Sequence, residues 1–394
     1  MAHDAGSQEA LLHWLALHLV PGLGPGGAFK LIGKLGTPQN IFHASVSELG
    51  ACGVRPAVAQ SIVSGVSFEE AAAEAGRARA AGAEIVTLHD PRYPEALKEI
   101  YDPPILLYVR GRTELLRSFQ VAVVGSRRPT PYGESVAAKL SGELAAAGLV
   151  ITSGMARGID TAAHRGALRV GGDTTAVLGC GVEVVYPSES RKLAAEIVSR
   201  GLIVSEFPMG SPAYPQNFPI RNRIISGLSA GVMVVEGAQY SGSLITARLA
   251  MDQGREVFAV PGSVLSKLSW GPNLLIKQGA ALVQEWKDVV EALPTPVRRM
   301  IFEALQERLA AAASAGAETS GAGSASVREA AADPGSLLQG QLLNRLRVET
   351  STHIDELMET MNGHSTSEII AALTELELVG QIRQLPGKNY VRTL

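Results

Sequence analysis

The chain has 394 residues, 46% of them hydrophobic, with 35 basic and 38 acidic side chains for a net charge of −3. That length accommodates two or three domains, and the near-neutral balance excludes a histone-like polycation while leaving room for a local basic pocket. Cys52 and Cys180 lie far apart without metal-type spacing, and no apolar run is long enough to span a membrane, so a reducing, cytoplasmic setting is expected.

Residues 8 to about 66 read as short helices with tight glycine turns. Val20-Pro21-Gly22-Leu23-Gly24-Pro25-Gly26 separates two segments of helical period, Leu11–Leu19 and Phe29–Leu35, in the manner of a helix-hairpin-helix. A weaker copy runs through Gly50–Pro56. Such turns present backbone N–H groups to a phosphate or simply pack. With the Ala- and Glu-rich helix at 67–80, this gives a small all-α domain, residues 1–80, of SAM or helix-hairpin-helix type.

A strand at Ala83–Leu88, a proline-rich connection and a strand at Ile105–Val109 follow. Apolar runs then recur at Val121–Val124, Val150–Thr152, Thr175–Leu178, Leu202–Val204, Val232–Val235, Val257–Val260 and Ala281–Val283, separated by helical segments. Strands alternating with helices predict an α/β core, residues 81–293, built on an extended Rossmann-like, mostly parallel sheet. Residues 294–335 are biased to Ala, Gly and Ser and read as a flexible linker. The tail, 336–394, offers three helical segments and a hairpin around Pro386-Gly387, a winged-helix pattern. Its would-be recognition helix, Ser367–Leu378, carries Glu368, Glu375 and Glu377 and no basic residue. A protein-contacting or degenerate winged helix fits that better than a sequence reader.

Ligands of an open parallel sheet sit beyond the carboxyl ends of its strands. Four motifs fall at such ends: Gly125-Ser126-Arg127-Arg128; Ser153-Gly154-Met155-Ala156-Arg157-Gly158-Ile159-Asp160; Ser205-Glu206-Phe207-Pro208; and Glu236 through Ser243, which opens a helix. The third precedes the most distinctive stretch of the chain, Phe218-Pro219-Ile220-Arg221-Asn222-Arg223. Two arginines and an asparagine beside an aromatic ring fit either an internal ion-pair network or a phosphate site with a stacking surface. The convergence of four loops tips the balance toward nucleic acid. The turn after the first strand of the core, Val123-Val124-Gly125-Ser126-Arg127, lacks the GxGxxG spacing, and there is no Walker turn, HExxH or CxxC, so no cofactor, metal or catalytic residue is expected. Asp160 and His164, four apart on one helix, suit a helix-start acid and a loop-bonded histidine better than a metal pair.

The GSR turn, SGMARGIDTAAHRGAL from Ser153, AVLGCGVEVVYP from Ala176, FPIRNRIISGLS from Phe218, SGSLITARLA from Ser241 and GREVFAVPG from Gly254 resemble the DprA/Smf family of DNA-processing proteins over nearly the whole chain. The resemblance implies a non-enzymatic single-stranded DNA-binding protein of natural transformation. It implies that incoming DNA is protected, that RecA recombinase is loaded while single-strand-binding protein is displaced, and that the protein is a homodimer. Carried over by motif, DNA contacts are Ser126, Arg127, Phe218, Arg221 and Arg223, with backbone donors at Ser153, Gly154, Ser241, Gly242 and Ser243. The segment before Phe218 lacks the expected basic residue, which Arg191 or Lys192 would replace, while Glu189 brings an acid toward the mouth. The competing reading is a Rossmann-like nucleoside-monophosphate phosphoribohydrolase. Such enzymes use a PGGxGT-type turn and a catalytic Glu, whereas the turn from Glu236 to Thr246 is not Pro-Gly-Gly and no acid lies within the helix start Ser241–Thr246.

Overall fold

The computed structural model describes residues 2–303, 306, 334–346, 352–361, 364–379, 381–385 and 387–392. Contacts divide the chain into two compact units, 1–301 and 302–394.

The first unit is built on nine strands: β1 (Glu84–Thr87), β2 (Leu106–Gly111), β3 (Gln120–Val124), β4 (Val150–Ser153), β5 (Thr174–Leu178), β6 (Leu202–Ser205), β7 (Gly231–Val234), β8 (Glu256–Ala259) and β9 (Ala281–Leu282). Their order is β1-β2-β6-β5-β4-β3-β7-β8-β9. From β6 to β9 every pairing is parallel, while β2 runs antiparallel to β6 and β1 antiparallel to β2. Every residue of β3, β5 and β7 is buried, as strands covered on both faces must be, which is why they appear as unbroken apolar runs. After β6 the chain crosses to the far side of β3 and enters as β7. Loops leaving β3 and β7 therefore diverge, and the sheet opens a crevice at their carboxyl ends.

Six helices precede the sheet, Ala2–His18, Pro25–Leu35, Pro38–His43, Val46–Ala51, Pro56–Val63 and Phe68–Ala80. Proline opens three of them, where its missing N–H costs nothing, and Ser45 with Glu48 forms a reciprocal cap on a fourth. Both expected glycine turns are present, with Gly22 and Gly53 at positive φ. They touch: Arg55 Nη2 donates to the Gly22 carbonyl at 3.2 Å. These helices share one apolar core with β1 and β2, Leu15 and Ile62 lying in the same cluster as Leu106 and Tyr108. Glu74, fully buried, accepts the Met209 N–H at 2.7 Å and pairs with Arg77 at 2.6 Å. The helical segment is thus welded to the sheet, and the contacts do not break near residue 80.

The expected linker begins too early at 294. Residues 295–303 are helical, and Val297 and Ile301, one turn apart, are buried. The Ala/Gly/Ser-rich stretch at 307–333 lies outside the described residues.

The second unit has helices Pro334–Arg345, Ile354–Thr360 and Thr366–Leu378 and a sheet of β10 (Thr352–His353), β11 (Ile382–Leu385) and β12 (Asn389–Arg392) in the order β10-β12-β11. Leu342, Leu357, Leu373, Ile382 and Tyr390 share its core, which gives the winged-helix arrangement. Glu368 is spent on a reciprocal cap with Ser365, accepting the Ser365 N–H at 2.7 Å.

Two histidines in the first unit, His164 fully buried and His18 largely so, are held without charge. The Thr174 hydroxyl donates to the Ile151 carbonyl at 2.6 Å, so His164 Nδ1–H must be the donor in its 2.7 Å bond to that oxygen. His164 Nε2 and His18 Nε2 have no protein partner. Burial pulls His164 down to about 3 and, against the opposing pull of Glu74, His18 down to about 4. An unfolded imidazole protonates near 6.5 and these do not, so their contribution is complete above that pH and lost as pH falls from about 6.5 toward 4. By pH 5 each costs about 2 kcal/mol. The urea midpoint is expected to fall between pH 7.5 and 5, and less so in His164→Gln. A midpoint unchanged across that range would mean that the imidazoles are charged in the fold.

Candidate nucleic-acid interface

A cavity of about 540 Å³ lies beyond the carboxyl ends of β3 to β7, and a notch of about 50 Å³ adjoins it beside Phe218. Arg127, Ala156, Tyr186 and Phe218 belong to both.

The loop after β4 is the scaffold. Ser153 is buried and its hydroxyl donates to the Val123 carbonyl at 2.6 Å. Asp160, at the start of the helix Ile159–Arg169, accepts from the N–H groups of Gly154 at 3.2 Å and Ala156 at 3.3 Å. Burial pushes its carboxyl up and Arg221 opposes that. Two glycines are sterically required. A Cβ on Gly154 would lie 2.2 Å from Arg221 Nη1, and one on Gly158, at φ +76, would lie 2.3 Å from the Ser126 carbonyl oxygen. They let the GSR turn, the β4 loop and the helix Asn217–Leu228 converge.

That helix supplies the aromatic centre. Phe218 is half-buried, with the Arg127 guanidinium 5.3 Å and the Arg221 guanidinium 5.9 Å from its ring centroid. Arg221 is buried; Nη1 donates to the Gly154 carbonyl at 2.8 Å and to the Val177 carbonyl. Burial lowers it to about 10, and Asp160 works against that. Arg127 is exposed and makes no ion pair among the described residues. Two guanidinium groups thus share one ring, and a single carboxylate, Asp160, serves both, Arg221 more strongly than Arg127. The arrangement is short of one anion.

Across the crevice, Ser241 stands at the N-cap position of the helix Gly242–Asp252 without a side-chain bond to its backbone, and the first N–H groups of that helix have no intrahelical acceptor. Ser241, Gly242 and Ser243 line the cavity, and the two serine hydroxyls are 2.6 Å apart. Glu236, the acid of this loop, is buried and accepts from Thr130 N at 2.9 Å and Thr130 Oγ1 at 2.6 Å.

Of the expected contacts, the structure gathers Ser126, Arg127, Phe218, Arg221, Ser241, Gly242 and Ser243 around the cavity. Ser153 does not line it, and Gly154 reaches only the notch, its N–H spent on Asp160. Arg223 points away: it holds the buried Glu206 through two bonds of 2.8 and 2.6 Å, and its Nε lies 3.1 Å from Asp102. Lys192 is exposed but outside the lining, and Glu189 is paired with Arg157. Asp160 and His164 make separate bonds, and no metal-type cluster occurs among the described residues. Missing from the expected set are Tyr186 and Asn222, both in the lining. The loop after β5 entered the expectation only through Glu189, Arg191 and Lys192, and its aromatic residue before Pro187 is the signal that marks Tyr186.

The profile of DNA recombination-mediator protein A matches residues 84–294, more than half of the chain. The chain belongs to that family. A DprA winged helix domain matches 326–388. Within the family the chain is 42% identical to Protein Smf of Escherichia coli over 308 residues, 76% of this chain and 75% of that protein. It is 48% identical to the DNA processing protein DprA of Streptococcus pneumoniae over 205 residues, 51% of this chain and 71% of that protein. The X-ray structure of the pneumococcal DprA superposes with a TM-score of 0.65 at 37% identity, covering 72% of this chain and 98% of that one. Family membership places the chain among DNA-processing recombination mediators. Among the described residues no helix is long and apolar enough to cross a membrane.

Proposed function

We propose that the cavity binds single-stranded DNA, and that the protein, as a homodimer in the cytoplasm, protects that strand and loads RecA recombinase onto it as single-strand-binding protein is displaced. The observation that carries the DNA reading is Phe218 between Arg127 and Arg221. An aromatic face can stack only on a base whose own face is free, which a duplex does not offer, and the adjacent cations suit the phosphates. The recombinase and homodimer steps rest on family membership. The apolar Leu274–Ile276 segment is the candidate for the dimer contact, with Leu275 buried and its two neighbours partly exposed.

The phosphoribohydrolase alternative needs a free carboxylate at the reacting sugar. Asp160 and Glu236, the acids nearest the crevice, both hold loops together. Release of adenine from AMP by the pure protein would revive it.

The test is anisotropy of labelled oligo-dT against a duplex of equal length across a salt series. Preference for the single strand is expected. Arg127→Ala should weaken binding and flatten the plot of log affinity against log salt by about one unit. Equal binding to both forms, or to neither, would remove the cavity as a single-strand site.

A further inference from the structure

Three of the eight tyrosines in the chain lie on the strand-end loops at the cavity, each on a different loop; Tyr186 lines it, and Tyr214 and Tyr240 adjoin lining residues without belonging to the lining themselves. Tyr186, after β5, is 46% exposed, and its ring lies 5.6 Å from that of Phe218 at 34°. Tyr214, after β6, is 51% exposed and sits between Ala213 and Pro215, both in the lining. Tyr240, after β7, is 92% exposed and sits between Ala238 and Ser241, again both in the lining. The hydroxyls of the three have no hydrogen bond among the described residues. By contrast, Tyr93 and Tyr132 donate to the carbonyls of Pro104 at 2.6 Å and Pro261 at 3.2 Å. A large ring in water with an idle hydroxyl contributes little to the fold.

Exposed charge in the lining itself is sparse, although Arg128 and Lys267 adjoin it beside Arg127 and Leu268. Arg127 is the exposed cation of the lining, Arg157 is taken by Glu189, and the segment ahead of Phe218 reads Tyr214-Pro215-Gln216-Asn217 with no basic residue. Purely electrostatic capture of a polyanion would want several free cations, whereas stacking needs only faces.

We propose that Tyr186, Tyr214 and Tyr240 are stacking platforms for the nucleobases that flank the one at Phe218. On this view the chain grips several consecutive unpaired bases with rings where charge is scarce. The proposal rests on the single-strand reading and adds a ligand class to it: a strand bearing bases, not a bare polyphosphate.

The experiment compares labelled oligo-dT with an abasic deoxyribose-phosphate strand of equal length, using the wild-type chain, Tyr214→Ala, Tyr240→Ala and Tyr240→Phe. The abasic strand is expected to bind at least tenfold more weakly than oligo-dT. Each alanine variant should bind oligo-dT about fivefold more weakly with an unchanged salt slope, and Tyr240→Phe should bind as the wild type does. These side chains are exposed, so thermal midpoints should not move. Wild-type binding of oligo-dT with equal affinity in both alanine variants would overturn the platforms and make the rim a surface for a protein partner. Failure of the wild type to bind oligo-dT would instead overturn the single-strand reading itself.

Discussion

Arg223→Ala is expected to cost about 3–5 kcal/mol of stability, because it strips the partner from a buried carboxylate. Glu206 is 4% exposed and meets the Arg223 guanidinium through two parallel bonds of 2.8 and 2.6 Å. Burial pushes its carboxyl up, and Arg223 is the main force holding it charged. Asp102, 41% exposed at its side chain, keeps water when the arginine goes, so most of the penalty falls on Glu206. The check is the urea midpoint of the single variant beside that of Arg223→Met with Glu206→Leu. Replacing both members of a buried pair with apolar groups is close to neutral, so the double variant should recover most of the loss. An unshifted midpoint together with weakened oligo-dT binding would put Arg223 on the strand after all.

Why sequence reading grouped Arg223 with Arg221 is instructive. A compact Arg-Asn-Arg cluster looks like one site, but on a helix each residue advances about 100°, so positions two apart sit about 200° around the axis. Phe218, Arg221, Asn222 and Ile225 follow the spacing of one face, and all four line the cavity. Arg223 falls on the opposite face and meets Glu206. The helical period separates the phosphate candidate from the ion pair, provided that the segment is first assigned as helix. Both readings of the cluster, internal network and ligand site, are therefore correct for different arginines.

The sheet was legible for a different reason. Strands buried on both faces leave apolar runs that turns cannot imitate, and all nine observed strands overlap the runs read along the chain. What pattern could not supply was direction and expenditure. Ser153 looks like a loop donor, yet its hydroxyl is closed on Val123 inside the sheet, and the Gly154 N–H belongs to Asp160. The first commitment comes from a contact 30 residues away, beyond any local motif; the second falls within the Ser153–Asp160 motif, but only the folded loop turns the Asp160 carboxylate back on the Gly154 N–H. The linker boundary failed because Pro294, Pro296 and the small residues beyond obscure the single apolar face made by Val297 and Ile301.

Phe218→Ala is expected to weaken oligo-dT binding by about 1–3 kcal/mol, roughly 5- to 150-fold in Kd, with little change in salt slope. The ring supplies the one face at the centre of the crevice, and a stacked base contributes without releasing counterions. It also organises the cations: the guanidinium groups of Arg127 and Arg221 lie 5.3 and 5.9 Å from its centroid. The two effects separate experimentally. Arg221 is fixed by the Gly154 and Val177 carbonyls whatever becomes of the ring, whereas Arg127 has only the ring. If stacking dominates, Phe218→Ala lowers affinity at every salt concentration by a constant factor, and Phe218→Trp restores it. If the ring acts chiefly by aiming Arg127, the slope flattens as it does in Arg127→Ala, and the double variant is no weaker than either single one. A flattened slope would therefore reassign Phe218 from the strand to the arginine.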